Sequence, residues 1–478
     1  MKKMKKYIIL TAIMWSAGLL FAQQVNNSYF IKNDPLRHNF NAAFQPDANV
    51  YFSAPAIGQM QFNLNLPVSL SNLIQKKDGQ ERWFFDPAWD GRQDFLKALG
   101  KNPSLGFGME MNLLSLGLRV KKSYLTLSLN EKVNTDIFLP RGVFDMLFDG
   151  LAPNGPESPN EFLLNAGFET KVYTEAALGY SRVIMDGLTA GAKLKLLIGH
   201  SNVSMRNENL KLFTGMDEWR LEGADTWNAS LPLEQLLDEN QNLDIKFYPK
   251  EQIFKNLFAG MGFAVDLGAD YKFKDFPLTL SLGINDLGFI QWNGSSNLKY
   301  TANYAFDGIY IDSLSLDGIN AVFDTIVNGI LNGLDFELGA KNPYKRNLTA
   351  KINLGAEYGF FDNTLNVGLL YNNVGKRNSL TGAVSYRPLH WFNLAVSYSL
   401  LDNFRATNLG VGFGLRLGPI YFNLSTDCIS LNNVRVGDLV DFAWVPYRTS
   451  AFNFKFGSSL EFGSKIKSDK KKAKKNEE

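Results

Sequence analysis

The sequence predicts an all-β protein, a transmembrane antiparallel β-barrel of about fourteen strands with an N-terminal plug and helical extracellular loops. Three observations indicate this fold. Apolar residues alternate with small or polar ones over long stretches, an export signal begins the chain, and no later segment approaches the roughly 18 consecutive apolar residues of a membrane-spanning helix. Because lipid cannot satisfy the backbone of an open sheet, strands that span a membrane must close into a barrel.

The alternation is clearest from Leu257 to Phe273, where apolar residues occupy every second position. Glycines and the charged residues Asp266, Asp270 and Lys272 occupy many of the positions between them. Successive side chains of a strand point to opposite faces, so this pattern gives one apolar face and one polar face. The stretch exceeds the roughly 9–11 residues that a tilted strand needs to cross a bilayer.

The first residues have the pattern of a secretory signal peptide, which we assign to residues 1–22. Four lysines within Met1–Lys6 precede an apolar run, Tyr7–Phe21, and Ala22 supplies a small residue before a polar stretch. A signal of this kind is removed during export. Together with the strand pattern, it predicts a location in the outer membrane of a Gram-negative bacterium.

Fourteen segments have the length and alternation of spanning strands, and they define a barrel over residues 58–463. Long and short connections alternate between them, as in barrels with short periplasmic turns and long extracellular loops. This alternation predicts an even strand count with both termini in the periplasm, and it favours a barrel over a secreted β-sandwich. A slip in parity at Leu113–Leu114 predicts a β-bulge in the second strand. The candidate strands are 58–70, 104–118, 122–130, 172–183, 187–200, 256–273, 276–286, 346–360, 363–373, 379–387, 390–400, 405–417, 418–426 and 451–463.

The polar faces of these strands predict the lining of the barrel interior. Their charges are mixed and nearly balanced, whereas an ion-selective porin would show a lining of one sign. Two interpretations stay open: a salt-bridged interior that anchors a plug, or a polar path for a substrate. The plug would be residues 23–57, in which the aromatic-rich stretch Val25–Ile57 has no sustained periodicity. The predicted interior residues are Glu110, Arg119, Glu175, Lys193, Lys195, Asp266, Asp270, Lys351, Glu357 and Arg416.

Several of the predicted long loops have apolar residues at helical spacing. Ser313–Leu334 is the longest such stretch, and shorter helices are predicted over Val143–Leu151, Leu231–Leu237 and Asp94–Leu99. These helices would pack on one another as a cap, or they would form a groove for an apolar ligand or a partner protein. The predicted groove residues are Val322, Phe323, Ile326, Val327 and Ile330.

The charge distribution and the scarcity of metal-binding residues argue against several functions. The net charge of +2 depends on the lysines of the signal and of a Lys-rich tail, residues 464–478, which we expect to lie in the periplasm. The remaining body is acidic, so we expect no nucleic-acid partner. The histidines are scattered and Cys428 is alone, with no His-x-x-x-His or Cys-x-x-Cys pair. We therefore expect no bound metal, no cofactor and no enzymatic activity.

Four segments resemble a known family of barrels: Tyr173–Ser181, Gly191–Gly199, Asp286–Trp292 and Gly418–Asp427. With them, nearly the whole mature chain is similar to Bacteroidetes outer-membrane proteins of a family of unknown function that is related to the FadL and PorV barrels. The resemblance implies fourteen strands and an N-terminal hatch. It also implies passive uptake of small hydrophobic molecules through the plugged lumen.

Two functions stay open at this point. The first is a FadL-like transporter of small hydrophobic molecules, and a continuous apolar tunnel would favour it. The alternative is a PorV-like interaction or structural barrel in protein secretion or surface assembly, and a sealed lumen would favour that role. The expected partners are outer-membrane lipid and either a hydrophobic small molecule or a secreted or surface protein.

Overall fold

The computed structural model describes most of the chain between Val25 and Gly463. The predicted signal peptide, the predicted tail and all but the last residue of Ser313–Leu334 lie outside the described residues, and so do the groove residues Val322, Phe323, Ile326, Val327 and Ile330. The described ranges are 25–54, 58–77, 80–84, 88–101, 103–150, 160–207, 209–215, 218–231, 233–237, 243–247, 258–294, 296–306, 334–339, 342–375, 377–401, 403–404, 406–429, 433–434, 445–446 and 449–463.

A closed barrel of fourteen antiparallel strands forms the body of the protein. Each strand pairs with the next along the chain, and β14 pairs with both parts of β1 to complete the ring. The predicted fold class and strand number are thereby confirmed. The strands are β1 (Val50–Ser53 and Gln59–Asn65), β2 (Ser104–Val120), β3 (Ser123–Phe138), β4 (Gly167–Met185), β5 (Leu188–Arg206), β6 (Gly260–Lys272), β7 (Leu278–Trp292), β8 (Tyr344–Asn347 and Lys351–Phe360), β9 (Leu365–Val374), β10 (Arg377–Leu389), β11 (Phe392–Leu401), β12 (Ala406–Leu417), β13 (Ile420–Ile429) and β14 (Ala451–Phe462).

The two ends of the barrel differ in their connections, and we name them accordingly. The short-turn end carries tight turns such as those between β4 and β5 and between β12 and β13. In these two turns Gly187 and Gly418 have φ angles of 85° and 62°, which glycine adopts without steric cost. The long-loop end carries the long segments that follow β3, β5, β7 and β13.

The outer face of the barrel is apolar, the reverse of a soluble protein. Leu194 is 65% exposed, whereas its neighbours Lys193 and Lys195 are only 4% and 6% exposed because they point inward. Aromatic side chains are exposed around the short-turn end, among them Phe361 and Trp391. Outer-membrane barrels have such an apolar band with aromatic residues at its borders.

Several strands extend beyond the predicted ranges because their pairing with neighbouring strands continues past the apolar band. The third candidate strand, 122–130, is β3, which continues to Phe138 with polar residues on both faces. β1 begins at Val50, within the segment predicted to precede the barrel. The predicted bulge at Leu113–Leu114 is confirmed, since the register of β2 against β3 shifts between Asn112 and Leu114.

Five further strands extend the sheet beyond the barrel at the long-loop end. They surround an apolar cluster that includes Trp219, Leu221 and Tyr300, and this cluster packs against the helix Arg141–Asp149. In spatial order, the five strands are Asn160–Leu163, Lys211–Thr214, Trp219–Ser230, Ser296–Phe306 and Leu334–Gly339.

The remaining elements at this end are short helices and hairpins. The helix predicted over Asp94–Leu99 is present as Arg92–Leu99. The helix predicted over Val143–Leu151 is present as Arg141–Asp149, with Leu151 outside the described residues. The helix predicted over Leu231–Leu237 is wrong. Residues Leu233–Leu237 instead form a strand, because they pair with Leu243–Phe247. Among the described residues, no helix is both long and apolar enough to cross a membrane. The helices are α1 (Leu70–Leu73), α2 (Arg92–Leu99) and α3 (Arg141–Asp149), and the other hairpins join Ile74–Lys77 to Gln80–Trp83 and Asn433–Val434 to Val445–Pro446.

Residues 25–49, here called the inner segment, run through the barrel interior before the chain enters β1. Two short 3-10 helices, Asn26–Phe30 and Pro35–Asn39, shape it, and every residue of the first helix is buried. The segment starts beside Asp427, near the end of β13 that faces the long loops. It reaches the short-turn end at Asn49, whose backbone N–H donates to the Phe462 carbonyl at 3.1 Å.

Candidate functional site in the barrel interior

Three lysines and four carboxylates meet inside the barrel, and we call this group the central cluster. Lys195 Nζ lies 2.6 Å from Asp286 Oδ1 and 2.8 Å from Asp266 Oδ1. Glu175 Oε2 bridges two lysines, at 3.3 Å from Lys195 Nζ and 2.7 Å from Lys132 Nζ. Buried charges persist only when they are paired, and each of these groups has at least one partner of opposite charge. The central cluster consists of Glu110, Lys132, Glu175, Lys195, Asp266, Asp286 and Lys351.

Asp286 enters this cluster because β7 is bulged at that point. Its φ of 61° lies in the left-handed region, which is uncommon for residues other than glycine. The pairing of β7 with β6 shifts register here, so Asn285 and Asp286 are both buried although they are adjacent in sequence. The Asp286 amide donates to Asp266 Oδ1 at 2.8 Å, and its carboxylate lies 3.1 Å from Lys351 Nζ. The strained conformation thus places one carboxylate among three lysines.

Two buried ion-pair groups connect the inner segment to the wall. Glu357 of β8 lies 2.6 Å from Arg37 and 3.1 Å from Lys32. Asp34 lies 2.6 Å from Lys455 of β14, and both side chains are almost completely buried. Removal of Asp34 or Lys455 would leave an unpaired buried charge, and Glu357 binds two cations of the segment, so these contacts hold the middle of the segment firmly.

Further polar contacts fix the end of the inner segment near the short-turn end. Arg387 of β10 lies 2.5 Å from Asp47. Arg119 of β2 donates to Gln45 Oε1 at 2.8 Å and also bonds the Pro46 carbonyl. The segment is therefore anchored by charged groups from several sides before it joins β1.

The first residues of the inner segment meet a different kind of wall. The side-chain amide of Asn26 donates to Ser379 and Thr381, each at 3.1 Å, and that of Asn27 donates to Ser397 at 2.8 Å. We call β9–β12 the amide wall, because their buried polar side chains among the described residues are all neutral: Asn366, Asn372, Ser379, Thr381, Ser385, Asn393, Ser397, Ser399 and Asn408.

One carboxylate, Asp427 of β13, receives the start of the segment. It accepts hydrogen bonds from the backbone amides of Asn26, at 2.6 Å, and Asn27, at 2.9 Å. The side chain of Asn453 donates to the same carboxylate at 3.0 Å. These bonds satisfy the free N–H groups at the start of the first 3-10 helix, in the manner of an N-terminal cap.

A cavity of about 580 Å³ lies between the central cluster and the long loops. Glu110, Lys132, Asp286 and Lys351 form its floor, and Leu99 of α2 lies at its cover. Beneath this floor, Asn39 and Phe40 of the inner segment line a second, smaller cavity of about 30 Å³. That volume is close to the space of one water molecule.

The α2 helix at the cover is fixed by its neighbours. Arg141 of α3 donates to the carbonyls of Leu96 and Gly100, at 2.9 Å and 2.6 Å. These carbonyls lie at the C-terminal end of α2, where a cation also interacts favourably with the helix dipole. Phe95 of α2 meets Phe148 of α3 edge to face, with their ring centroids 5.6 Å apart, which joins the two helices further.

Most of the predicted interior residues lie inside the barrel, in three groups. Glu110, Glu175, Lys195, Asp266 and Lys351 belong to the central cluster. Glu357, Arg119 and Lys193 contact the inner segment, the last through a 2.9 Å hydrogen bond to Asn39. Asp270 is buried near the short-turn end of β6, and Arg416 pairs with Glu461 at 3.1 Å. Their roles as plug contacts stay a prediction.

The charged residues of the interior that were not predicted from the sequence include Asp34, Lys132, Asp286, Asp427 and Lys455. Lys132 and Asp427 lie just beyond the predicted ends of their strands, and Asp286 depends on a bulge. Lys455 alternates with outward phenylalanines in β14, so strict parity could have found it.

The histidines and acidic residues form no metal site in the part of the chain that the structure describes. His38 Nε2 lies 2.8 Å from the Tyr51 hydroxyl, and burial lowers the pKa of His38 well below its usual value. The imidazole is therefore neutral, which suits a buried hydrogen-bonding role.

A closed barrel with an apolar outer face and a polar interior is the architecture of an outer-membrane β-barrel protein. Residues 43–427 match the model of a family of unknown function (DUF5723), and the chain belongs to that family. No curated protein matches the chain.

Several solved structures are similar to this chain, all at low identity. A Pseudomonas aeruginosa FadL homologue is 13% identical, over 94% of this chain and 98% of the other, with a TM-score of 0.41. The Ralstonia pickettii toluene transporter TbuX is 10% identical, over 88% and 91%, with a TM-score of 0.40. The P. putida toluene transporter TodX is 12% identical, over 93% and 96%, with a TM-score of 0.37.

Proposed function

We propose that the protein is a gated outer-membrane channel for small solutes and that the inner segment is its gate. In this arrangement the long-loop end faces the outside, and the short-turn end, where β14 ends at Phe462, faces the periplasm. The observation that carries the proposal is the contrast between the roughly 580 Å³ cavity above the central cluster and the space of about 30 Å³ below it. A solute that enters from the long loops meets the inner segment before it can leave.

The bonding of the inner segment supports opening at its start rather than release of the whole segment. Residues after Lys32 are held by buried ion pairs, whose disruption costs several kcal/mol. Asn26 and Asn27 are held chiefly by neutral hydrogen bonds and by Asp427. A neutral hydrogen bond contributes about 1 kcal/mol, so the start is the part that thermal motion or a solute displaces most readily.

Neither of the two functions expected from the sequence draws direct support from this geometry. The predicted hydrophobic solute would have to pass charged groups, because the floor of the cavity is the central cluster. The predicted partner role draws no support from the apolar cluster of the long-loop end, since its residues are buried among themselves. Both stay predictions, and the gated channel is the function that the interior supports best.

The gate is tested by deletion of residues 25–44 and measurement of single-channel conductance in planar bilayers. We expect larger and longer openings than in the intact protein, since the deletion removes the segment below the cavity. Heat-modifiable migration on a gel establishes that the barrel has folded. A folded deletion variant that conducts no more than the intact protein would overturn the proposal.

A reversible lock gives a second test that keeps the segment in place. Asn27→Cys and Ser397→Cys, in a Cys428→Ser background, join two side chains that are 2.8 Å apart. We expect oxidation to abolish openings and reduction to restore them. The matched control is Thr135→Cys with Thr170→Cys, which joins β3 to β4 at a 2.9 Å contact within the wall and should leave conductance unchanged. Equal openings in the oxidised and reduced lock would contradict a moving gate.

A further inference from the structure

We propose that the solute is a zwitterion with an apolar body, the chemistry of a short peptide, and that it binds in the cavity above the central cluster. This inference rests on the proposed channel and names its substrate class. The cavity volume of about 580 Å³ falls within the roughly 300–1,000 Å³ range of small-molecule sites. A peptide of two or three residues fits such a volume.

Charges of both signs line the cavity above its floor. Asp136 of β3 and Glu169 of β4 supply carboxylates, whereas Arg206 of β5 and Arg377 of β10 supply guanidinium groups. Lys171 Nζ lies 2.9 Å from Glu169 Oε1, and Arg377 donates to Ser104 Oγ at 3.0 Å. A solute of one charge would approach groups of its own sign here. An uncharged apolar solute would strip water from charged groups without replacing their hydrogen bonds.

Apolar side chains lie between these charges. Phe107 and Tyr173 line the cavity together with Leu348. Phe138 also lines it and receives the guanidinium of Arg206 over its ring, 4.5 Å from the centroid. An ammonium and a carboxylate group at the two ends of an apolar body would therefore each find an opposite charge while the body contacts these rings.

The proposal is tested by titration calorimetry of the folded barrel in detergent with three probes: leucyl-leucine, its N-acetylated amide, and toluene. We expect leucyl-leucine to bind at least about tenfold more tightly than the other two, since one lost ionic contact worth about 1.4 kcal/mol changes affinity tenfold. Equal or weaker binding of leucyl-leucine would overturn the proposal.

Variants of the lining locate the site. Arg377→Gln and Asp136→Asn should each weaken leucyl-leucine binding about tenfold and leave the weak binding of the capped amide unchanged. The matched control is Arg220→Gln. Arg220 is an exposed residue of the strand Trp219–Ser230 and pairs with Glu222 at 3.1 Å, and this variant should bind leucyl-leucine normally. Normal binding by both lining variants would contradict the assignment of the cavity.

The two proposals fail in distinguishable ways. If the folded deletion of residues 25–44 conducts but toluene binds as well as leucyl-leucine, the channel stands and the zwitterion inference is wrong. If leucyl-leucine binds but the deletion does not conduct, the cavity is a binding site and the channel is wrong.

Discussion

The two sides of the barrel interior hold the same inner segment by different chemistry. The charged wall, strands β2–β8, holds the segment through Glu357, whose carboxylate lies 2.6 Å from Arg37 and 3.1 Å from Lys32. The same wall supplies the central cluster, whose ion pairs join wall residues to one another. The amide wall, strands β9–β12, supplies neutral side chains that bond the first residues of the segment. The middle of the segment is therefore held in place by ion pairs. The start of the segment is held by hydrogen bonds that break at a lower cost in free energy.

The physical basis of this difference is the free energy that a buried polar or charged group costs when it loses its bonding partner. An ion in a low-dielectric interior that loses its counter-ion leaves a charge whose desolvation is not compensated. An amide or hydroxyl that loses one partner can find another among many similar groups, and the amide wall offers nine such buried side chains. We therefore expect substitutions in the two walls to differ severalfold in their effect on stability.

The largest effect is expected for Lys195→Met in the central cluster. This change leaves Asp266, Asp286 and Glu175 with a shared excess of negative charge and should lower the free energy of unfolding by about 3–5 kcal/mol. The measurement is urea unfolding in lipid vesicles, followed by tryptophan fluorescence. Lys193→Met is the matched control on the same strand and face. Its side chain bonds Asn39, and we expect a loss of only about 1.5–3 kcal/mol. Equal losses in the free energy of unfolding for the two variants would show that the central cluster is no more important for stability than a single hydrogen-bonded lysine.

A double-mutant cycle on Asp34 and Lys455 measures how strongly the charged contacts fasten the inner segment. Asp34→Asn and Lys455→Met should each cost about 3 kcal/mol, because each leaves one buried charge unpaired. The double variant removes both charges, so its loss should fall short of the sum by about 2 kcal/mol. Strict additivity in the same urea experiment would show that the 2.6 Å contact contributes no coupling.

Period-two alternation carried enough information to predict the barrel. The inward placement of Lys193 and Lys195 beside the outward Leu194 follows from parity alone. The number of strands was predictable for the same reason, since each apolar face had to meet lipid over a length set by the bilayer. A break in the alternation was predictable where the sequence itself slips in parity, as at Leu113–Leu114, but not at Asp286. Asp286 enters the central cluster through a positive φ that no local pattern announces.

The partners of each interior residue were also beyond the sequence. Lys455 and Asp34 are more than four hundred positions apart along the chain, and only closure of the barrel brings them together. The strand Leu233–Leu237 shows the opposite error, since its leucines fit helical spacing while its hydrogen bonds go to a neighbouring strand. Local spacing fixes a preference, and pairing with distant residues decides the outcome.

The smallest effect is expected for Asn393→Ala in the amide wall. Asn393 is completely buried, and neither atom of its side-chain amide bonds another described residue. Its removal forfeits no protein hydrogen bond, so the free energy of unfolding should change by less than about 0.5 kcal/mol. Ser397→Ala on the same strand and face is the control, because it loses the 2.8 Å bond from Asn27 and should cost about 1 kcal/mol. A loss above about 2 kcal/mol for Asn393→Ala would mean that side chains of the amide wall contribute as much to stability as those of the charged wall. Displacement of the start of the inner segment would then cost as much free energy as displacement of its middle.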